Sequence, residues 1–210
     1  MFDTLRRDIN AVMERDPAAV SPLQVYFLYP GFKAVRRHRR AHWFLKHNMS
    51  FIAHWIAYRT RKKTGIDINP GAQIGQGLFI DHGMGVVIGE TAVIGDDCTI
   101  YQGVTLGGTG KQTGKRHPTL GNHVMVGSGA KVLGPFTVGD NCKIAAGAVV
   151  LEAIPDDSTA VGVPARVVSR GGVRVKDDLD QVHIADPVAT QLCKMQIEIE
   201  RLQKAMEQLQ

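Results

Sequence analysis

Cysteine is scarce in this sequence: three in 210 residues, an odd number with no metal-type spacing. That fits a reducing compartment better than a disulfide framework. Long apolar runs are missing too: none approaches the roughly 18 residues of a membrane span. No basic-then-apolar stretch of signal-peptide form opens the chain. A cytoplasmic protein, with no membrane partner, is therefore the expectation. Basic residues cluster at Arg36, Arg37, Arg39 and Arg40 and again at Arg59, Arg61, Lys62 and Lys63, and the net charge is +5. No nucleic-acid motif accompanies them, so the clusters read as solvated helix faces or as attraction for an anionic small molecule, with no nucleic-acid partner. What is abundant is glycine, 23 residues without a collagen period, which points to many turns.

The first 65 residues read as helices. Leu5, Ile9, Val12 and Met13 have helical spacing, and Asp16-Pro17 ends that pattern. Ser21-Pro22-Leu23-Gln24 has the form of a capping box with proline in the first helical position. Two more helices are expected from about Phe32 to Lys46 and from Ser50 to Gly65, the latter with Arg61, Lys62 and Lys63 near its C-terminal dipole.

From Ile66 the period becomes six. Aliphatic residues fall at Ile68, Ile74 and Ile80, slip by two, then resume at Ile88, Ile94, Ile100 and Leu106. After an interruption they return at Leu120, Val126, Val132, Val138, Ile144 and Val150. Small residues precede many of them by two positions: Ala72, Ala92, Cys98, Ala130, Cys142 and Ala148. Six residues make one short strand and one corner, and three such units make one triangular coil of a parallel β-helix. The fold class is α+β: a helical domain over 1–65, a parallel β-helix over 66–168, and a linker with a C-terminal helix over 169–210.

The interruption, GGTGKQTGKRHP from Gly107 to Pro118, reads as a loop extruded from one corner. Val161 to Val168 is expected to cap the open end. In the tail, Asp186-Pro187 has the form of a cap, and Leu192, Met195, Ile199, Leu202, Met206 and Leu209 form a short heptad seam, for self-association or for packing on the parent domain.

An all-aliphatic inner column leaves corners, the loop and subunit boundaries as places for chemistry. Of eight histidines, His82 and His117 stand out. His82 follows Asp81 beside the slip, and His117 closes the loop next to Arg116. Both are expected to project outward. Cys98 and Cys142 take the small corner position, which predicts burial and inertness, and Cys193 lies far from any of these features.

From about Asp16 to Val168 the chain resembles the bacterial and plant serine acetyltransferases. The matching strings are Arg15-Asp16-Pro17-Ala18, the stretch from Gly65 to Pro70 (GIDINP), that from Ile80 to Ala92 (IDHGMGVVIGETA), that from Val104 to Lys111 (VTLGGTGK), Arg116-His117-Pro118, and Gly162-Val163-Pro164-Ala165-Arg166. The resemblance implies a left-handed coil, although general crossover rules favour the right hand. It implies transfer of the acetyl group of acetyl-CoA to the hydroxyl of L-serine, the first step of cysteine biosynthesis, with no metal. His82 matches the general base and Asp67, fifteen residues earlier, the carboxylate paired with it. Asp16, Asp81, Arg116 and His117 match residues that hold the amino acid, and Gly108, Thr109, Gly127, Ser128 and Ala146 match those that line the CoA groove. A neutral imidazole, with a pKa near 6.5, suits proton removal from a hydroxyl, and a carboxylate on its other nitrogen fixes the tautomer. Direct transfer in a ternary complex follows, without an acyl-enzyme.

The resemblance further implies a homotrimer with sites between subunits. Longer members carry an N-terminal region that pairs trimers into hexamers; this chain starts shortly before Arg15, so a trimer is expected. The family's C-terminal isoleucine, which enters O-acetylserine sulfhydrylase, has no match in Glu207-Gln208-Leu209-Gln210, so that complex is not expected. Inhibition by L-cysteine is. Two other readings share the fold: a hexapeptide acyltransferase acting on homoserine or a sugar, and a γ-class carbonic anhydrase with His82, His117 and His123 on zinc. The second spaces its last two ligands differently.

Overall fold

The computed structural model describes residues 2–110 and 113–171 together with 195, 196, 198, 199 and 201. Four helices come first: α1 (Phe2–Arg15), α2 (Pro22–Leu28), α3 (Pro30–Lys46) and α4 (Ser50–Thr64). Their ends follow local chemistry. The Ser21 hydroxyl accepts from the Gln24 N–H at 3.2 Å, and Gln24 Oε1 accepts from the Val20 N–H at 2.8 Å, a capping box displaced by one residue. Gly65 ends α4 in the left-handed region, φ 70°, with its N–H on the Arg61 carbonyl at 2.8 Å.

Thirteen short strands then wind into three parallel sheets. They are β1 (Asp67–Ile68), β2 (Gln73–Ile74), β3 (Phe79–Ile80), β4 (Val87–Ile88), β5 (Val93–Ile94), β6 (Thr99–Ile100), β7 (Thr105–Gly107), β8 (Thr119–Leu120), β9 (Met125–Val126), β10 (Lys131–Leu133), β11 (Thr137–Val138), β12 (Lys143–Ile144) and β13 (Val149–Val150). The first sheet runs β1-β4-β7-β10-β13 and the second β2-β5-β8-β11. The third runs β3-β6-β9-β12 and ends in β14 (Ser158–Val161) and β15 (Arg166–Arg170). The result is a left-handed parallel β-helix.

Every residue of the six-period column lies in one of these strands, stacked on its equivalent one coil away: Ile68 on Ile88, Leu106, Val132 and Val150, for example. Nearly all are fully buried, each contributing roughly 1.5–3 kcal/mol by leaving water. The small residues two places earlier, including Cys98 and Cys142, are wholly buried beside the corners. At the corner between the second and third sheets, Asp97, His123, Asn141 and Asp157 all take left-handed backbone, φ 54–56°. Each donates its N–H to the coil before it at 2.8–2.9 Å. Asp and Asn tolerate that conformation well, and His123 is thereby spent as a turn residue.

Helix α3 closes the start of the coil: Ala34 and Val35 join the column, and Gly31 lets the helix lie against the backbone of Ile80, where a Cβ would collide with the carbonyl. A second small core gathers Val12, Val25 and Phe32 around Phe79 on the outer face of β3. Buried Asp8 ties these parts together, accepting from Arg39 Nε and Nη2 at 3.0 and 2.9 Å and from the Gly77 N–H at 2.9 Å. At the far end β15 turns back antiparallel on β14, which closes the edge of the third sheet where a cap was expected. Of the tail seam, Met195 and Ile199 are helical and exposed; the rest of it, the cap at Asp186 and Cys193 lie outside the described residues. Among the described residues no helix is long and apolar enough to cross a membrane.

Candidate active site

The corner between the third and first sheets takes four residues in most coils, as from Tyr101 to Val104, but six between β3 and β4. The two extra residues are the slip in the period, and they form an outward turn that presents His82. His82, Gly83 and Gly85 have φ of 54°, 75° and 75°. The turn is fastened below: Gly85 N–H donates to the Gly65 carbonyl at 2.9 Å, and a Cβ on Gly83 would sit 2.5 Å from Ile66 Cδ1. The His82 side chain is 76% exposed, with Nε2 3.9 Å from Asp81 Oδ2.

Two carboxylates converge beside it. Asp81 Oδ1 accepts the His82 N–H at 2.9 Å, and Asp16 Oδ2 accepts the Tyr29 hydroxyl at 2.7 Å. Burial pushes the Asp81 carboxyl up; His82 opposes the shift and Asp16 adds to it. Burial, then the bond to Asp16, pushes the Tyr29 phenol to about 12, and Asp81 contributes as well. Tyr29 escaped the sequence reading. Its one signal is position: it occupies the break between α2 and α3, just before Pro30. Asp67 stands at the start of β1, where its Oδ2 accepts from Arg61 Nη1 at 3.1 Å and does not bond to His82.

Arg116 and His117 lie at a different corner, between the first and second sheets. There Thr91 Oγ1 accepts the N–H groups of Arg116 and His117 at 3.0 and 3.1 Å, and Arg116 is ion-paired with Glu90. His117 is not the projecting residue expected from the sequence; it is only 9% exposed. The physical reason is a fitted slot. Thr91 holds Nδ1 from its N–H at 3.2 Å, and the ring lies against Gly89, where a Cβ would strike it, and beside Gly108, where a Cβ would come within 3.1 Å of Nε2. Accepting that N–H makes Nδ1 the unprotonated nitrogen, so the proton of the neutral ring is on Nε2. Burial, with Arg116 adding, lowers the ring's affinity for a second proton. Glu90 and Thr91 lie within the string from Ile80 to Ala92, and only their contacts with Arg116 and His117 show that they hold this corner.

The expected groove residues divide the same way. Gly127, Ser128 and Ala146 stack on the His82 corner: a Cβ on Gly127 would come within 2.6 Å of the Ala146 N, and Gly147 N–H donates to the Ser128 carbonyl at 2.8 Å. Gly108 and Thr109 belong to the Arg116 corner. One side of the triangle, about 15 Å by strand rise, separates the two groups within a chain. Among the described residues no three His, Cys, Asp or Glu side chains gather as a metal site. Cys98, pushed to about 12 by burial, has no nucleophilic character.

Comparison with known proteins bears on this arrangement. The profile of the family "Serine acetyltransferase, N-terminal" matches residues 1–37, and that of "Bacterial transferase hexapeptide (six repeats)" matches residues 117–152. The serine acetyltransferase of Synechococcus elongatus is 54% identical over 209 residues, which cover 100% of this chain and 85% of that protein. The chain belongs to the serine acetyltransferase family. It is therefore an acyltransferase. Solved serine acetyltransferases agree in fold. One in complex with cysteine aligns with a TM-score of 0.83 at 42% identity, over 87% of this chain and 71% of that one. The Brucella abortus serine acetyltransferase in complex with coenzyme A gives 0.79 at 46% identity, over 81% of this chain and 68% of that one.

Proposed function

We propose that this chain transfers the acetyl group of acetyl-CoA to the hydroxyl of L-serine, giving O-acetylserine and CoA, with His82 as general base. The observation that carries the reading is His82 on an enlarged corner turn beside two carboxylates, in a chain of this family. Asp16 and Asp81 receive the substrate ammonium, and Arg116, next to His117, takes its carboxylate. His82 removes the hydroxyl proton as the serine oxygen attacks the thioester carbonyl. The tetrahedral intermediate then collapses, breaking the C–S bond, and the imidazolium returns the proton to the departing thiolate. Asp67 turns to His82 and stabilises the imidazolium between these steps. General-base catalysis supplies about 10²–10⁴-fold, and holding both substrates in line supplies much of the rest. L-Cysteine, which differs from serine only in its thiol, occupies the same contacts and inhibits.

The working unit is a homotrimer. A site made from the His82 corner of one subunit and the Arg116 corner of the next is a heterologous contact, which closes only as a ring. The separation of these corners within one chain supports it.

The test is CoA release with serine, homoserine or no acceptor, for the parent and His82→Ala. Serine-dependent release that falls at least about 100-fold in the variant is expected. Release with homoserine alone would refute the acceptor. Co-refolding inactive His82→Ala with inactive His117→Ala restores about a quarter of parental activity if sites span subunits, and none if each site is one chain's.

A further inference from the structure

Asp16 directly follows the last residue of α1, and its Oδ1 accepts the Ala18 N–H at 2.8 Å, a turn confined to the linker between α1 and α2. Asp81, which follows β3, bears the same charge and opposes its approach. Tyr29 bridges the gap. Among the described residues its hydroxyl, donated to Asp16 Oδ2 at 2.7 Å, is the one bond from the Asp16 side chain to the α2–α3 junction. Tyr29 is itself fixed on both sides. Its N–H reaches the Val25 carbonyl at 3.3 Å and its carbonyl accepts the Lys33 N–H at 3.1 Å, so it joins the end of α2 to the start of α3. Two residues on, Gly31 lies against the carbonyl of Ile80, the residue before Asp81. Phe32 then packs with Phe79 of the same strand. A chain of contacts therefore runs from Asp16 through Tyr29 to the backbone that carries Asp81.

We propose that Tyr29 is a positioning residue for the amino-acid substrate: its hydroxyl holds the Asp16 carboxylate beside Asp81, so that the two form a preformed clamp for one ammonium group. The inference rests on the reading that Asp16 and Asp81 receive that ammonium. Without substrate, two like charges side by side favour parting, and the half-buried Asp16 can turn to water. A neutral donor on Oδ2 holds it without cancelling its charge, as a lysine or arginine in that place would. Burial and the bond to Asp16 push the phenol to about 12, so it keeps its proton and stays a donor. Of the roughly four acceptor positions on a carboxylate, Ala18 and Tyr29 each use one, which leaves the others for the ammonium.

Tyr29→Phe keeps the ring and removes only the donor. KM for serine then rises about tenfold, the effect of losing one hydrogen bond to a charged group that water partly replaces, while kcat and KM for acetyl-CoA stay parental. A purely structural role would instead lower kcat and the urea midpoint and leave the serine KM unmoved; that result overturns the inference. Asp16→Asn separates the inference from the reading beneath it. If Asp16→Asn raises the serine KM roughly tenfold or more and Tyr29→Phe does not, Asp16 binds the substrate and Tyr29 has no part in placing it. If Asp16→Asn keeps the parental serine KM, the ammonium contact falls and the inference with it. Where both single variants raise the KM, the double variant decides. It matches Asp16→Asn alone if Tyr29 acts through Asp16. A further rise of about tenfold on adding Tyr29→Phe to Asp16→Asn overturns the inference, because Asp16 is then no intermediary.

Discussion

Arg15 is where the helical region is pinned to the coil, and Arg15→Met measures how much that pin holds. Nη1 reaches the carbonyls of Gly77 and Cys98 at 3.2 and 3.1 Å and Thr99 Oγ1 at 3.3 Å, while Nη2 pairs with Asp97 Oδ1 at 3.2 Å. Methionine keeps the apolar stem and removes all four contacts. Hydrogen bonds to a charged partner contribute about 1.5–3 kcal/mol each, but one nitrogen shared among three acceptors counts as two at most. Asp97 keeps a partner in Arg7, at 2.5 Å, so no carboxylate is orphaned. The Arg15 side chain is 17% exposed, so water reaches part of the site. The expected cost is about 3 kcal/mol, read from urea melts of parent and variant at one protein concentration. Function moves with it. Asp16 directly follows Arg15, so a loosened α1 end displaces the carboxylate proposed to meet the substrate ammonium. KM for serine rises about tenfold, the loss of one weakened ionic contact, while KM for acetyl-CoA holds. A cost under about 1 kcal/mol together with an unchanged serine KM would refute the reasoning.

Three further outcomes are expected. Gly89→Ala drives a methyl group into the His117 ring, so serine turnover falls at least tenfold (roughly 1.4 kcal/mol of transition-state stabilisation) while the far-UV spectrum is parental; parental kinetics would contradict the fitted slot. His38 is buried and held neutral, its pKa lowered to about 3 from 6.5 by burial and then by His42 and Arg39. The unfolded chain takes that proton first as pH falls. Stability is therefore whole above pH 6.5 and declines by up to about 1.4 kcal/mol per pH unit from there towards pH 3, a slope that His38→Gln removes in urea melts at pH 6.5 and 5. Cys98, with its thiol at about 12, resists thiol reagents in the native protein and reacts once urea unfolds it; peptide mapping that finds native labelling at Cys98 would disprove its burial.

What the sequence by itself determined is whatever depends on near neighbours. A six-residue unit needs an aliphatic residue inward and a small one beside the corner, so positions from Ile68 to Val150 could be assigned to strands by counting. Helix ends at Ser21 and Gly65 were legible because a cap involves three or four residues. The raised turn that carries His82 was legible through the two-residue slip in the period. The tertiary structure alone decided who touches whom. Tyr29 meets Asp16 across thirteen residues because α2 folds back on α1 around Val12, Val25 and Phe32. His117 lies down instead of projecting because glycines from two coils leave it a slot. Asp67 faces Arg61 because the left-handed Gly65 turns the end of α4 towards β1. Strings of matching residues carry identity and spacing, but charge and burial act through space, so contacts such as Tyr29 with Asp16 and Asp67 with Arg61 appear only when the coil and its helices are packed together.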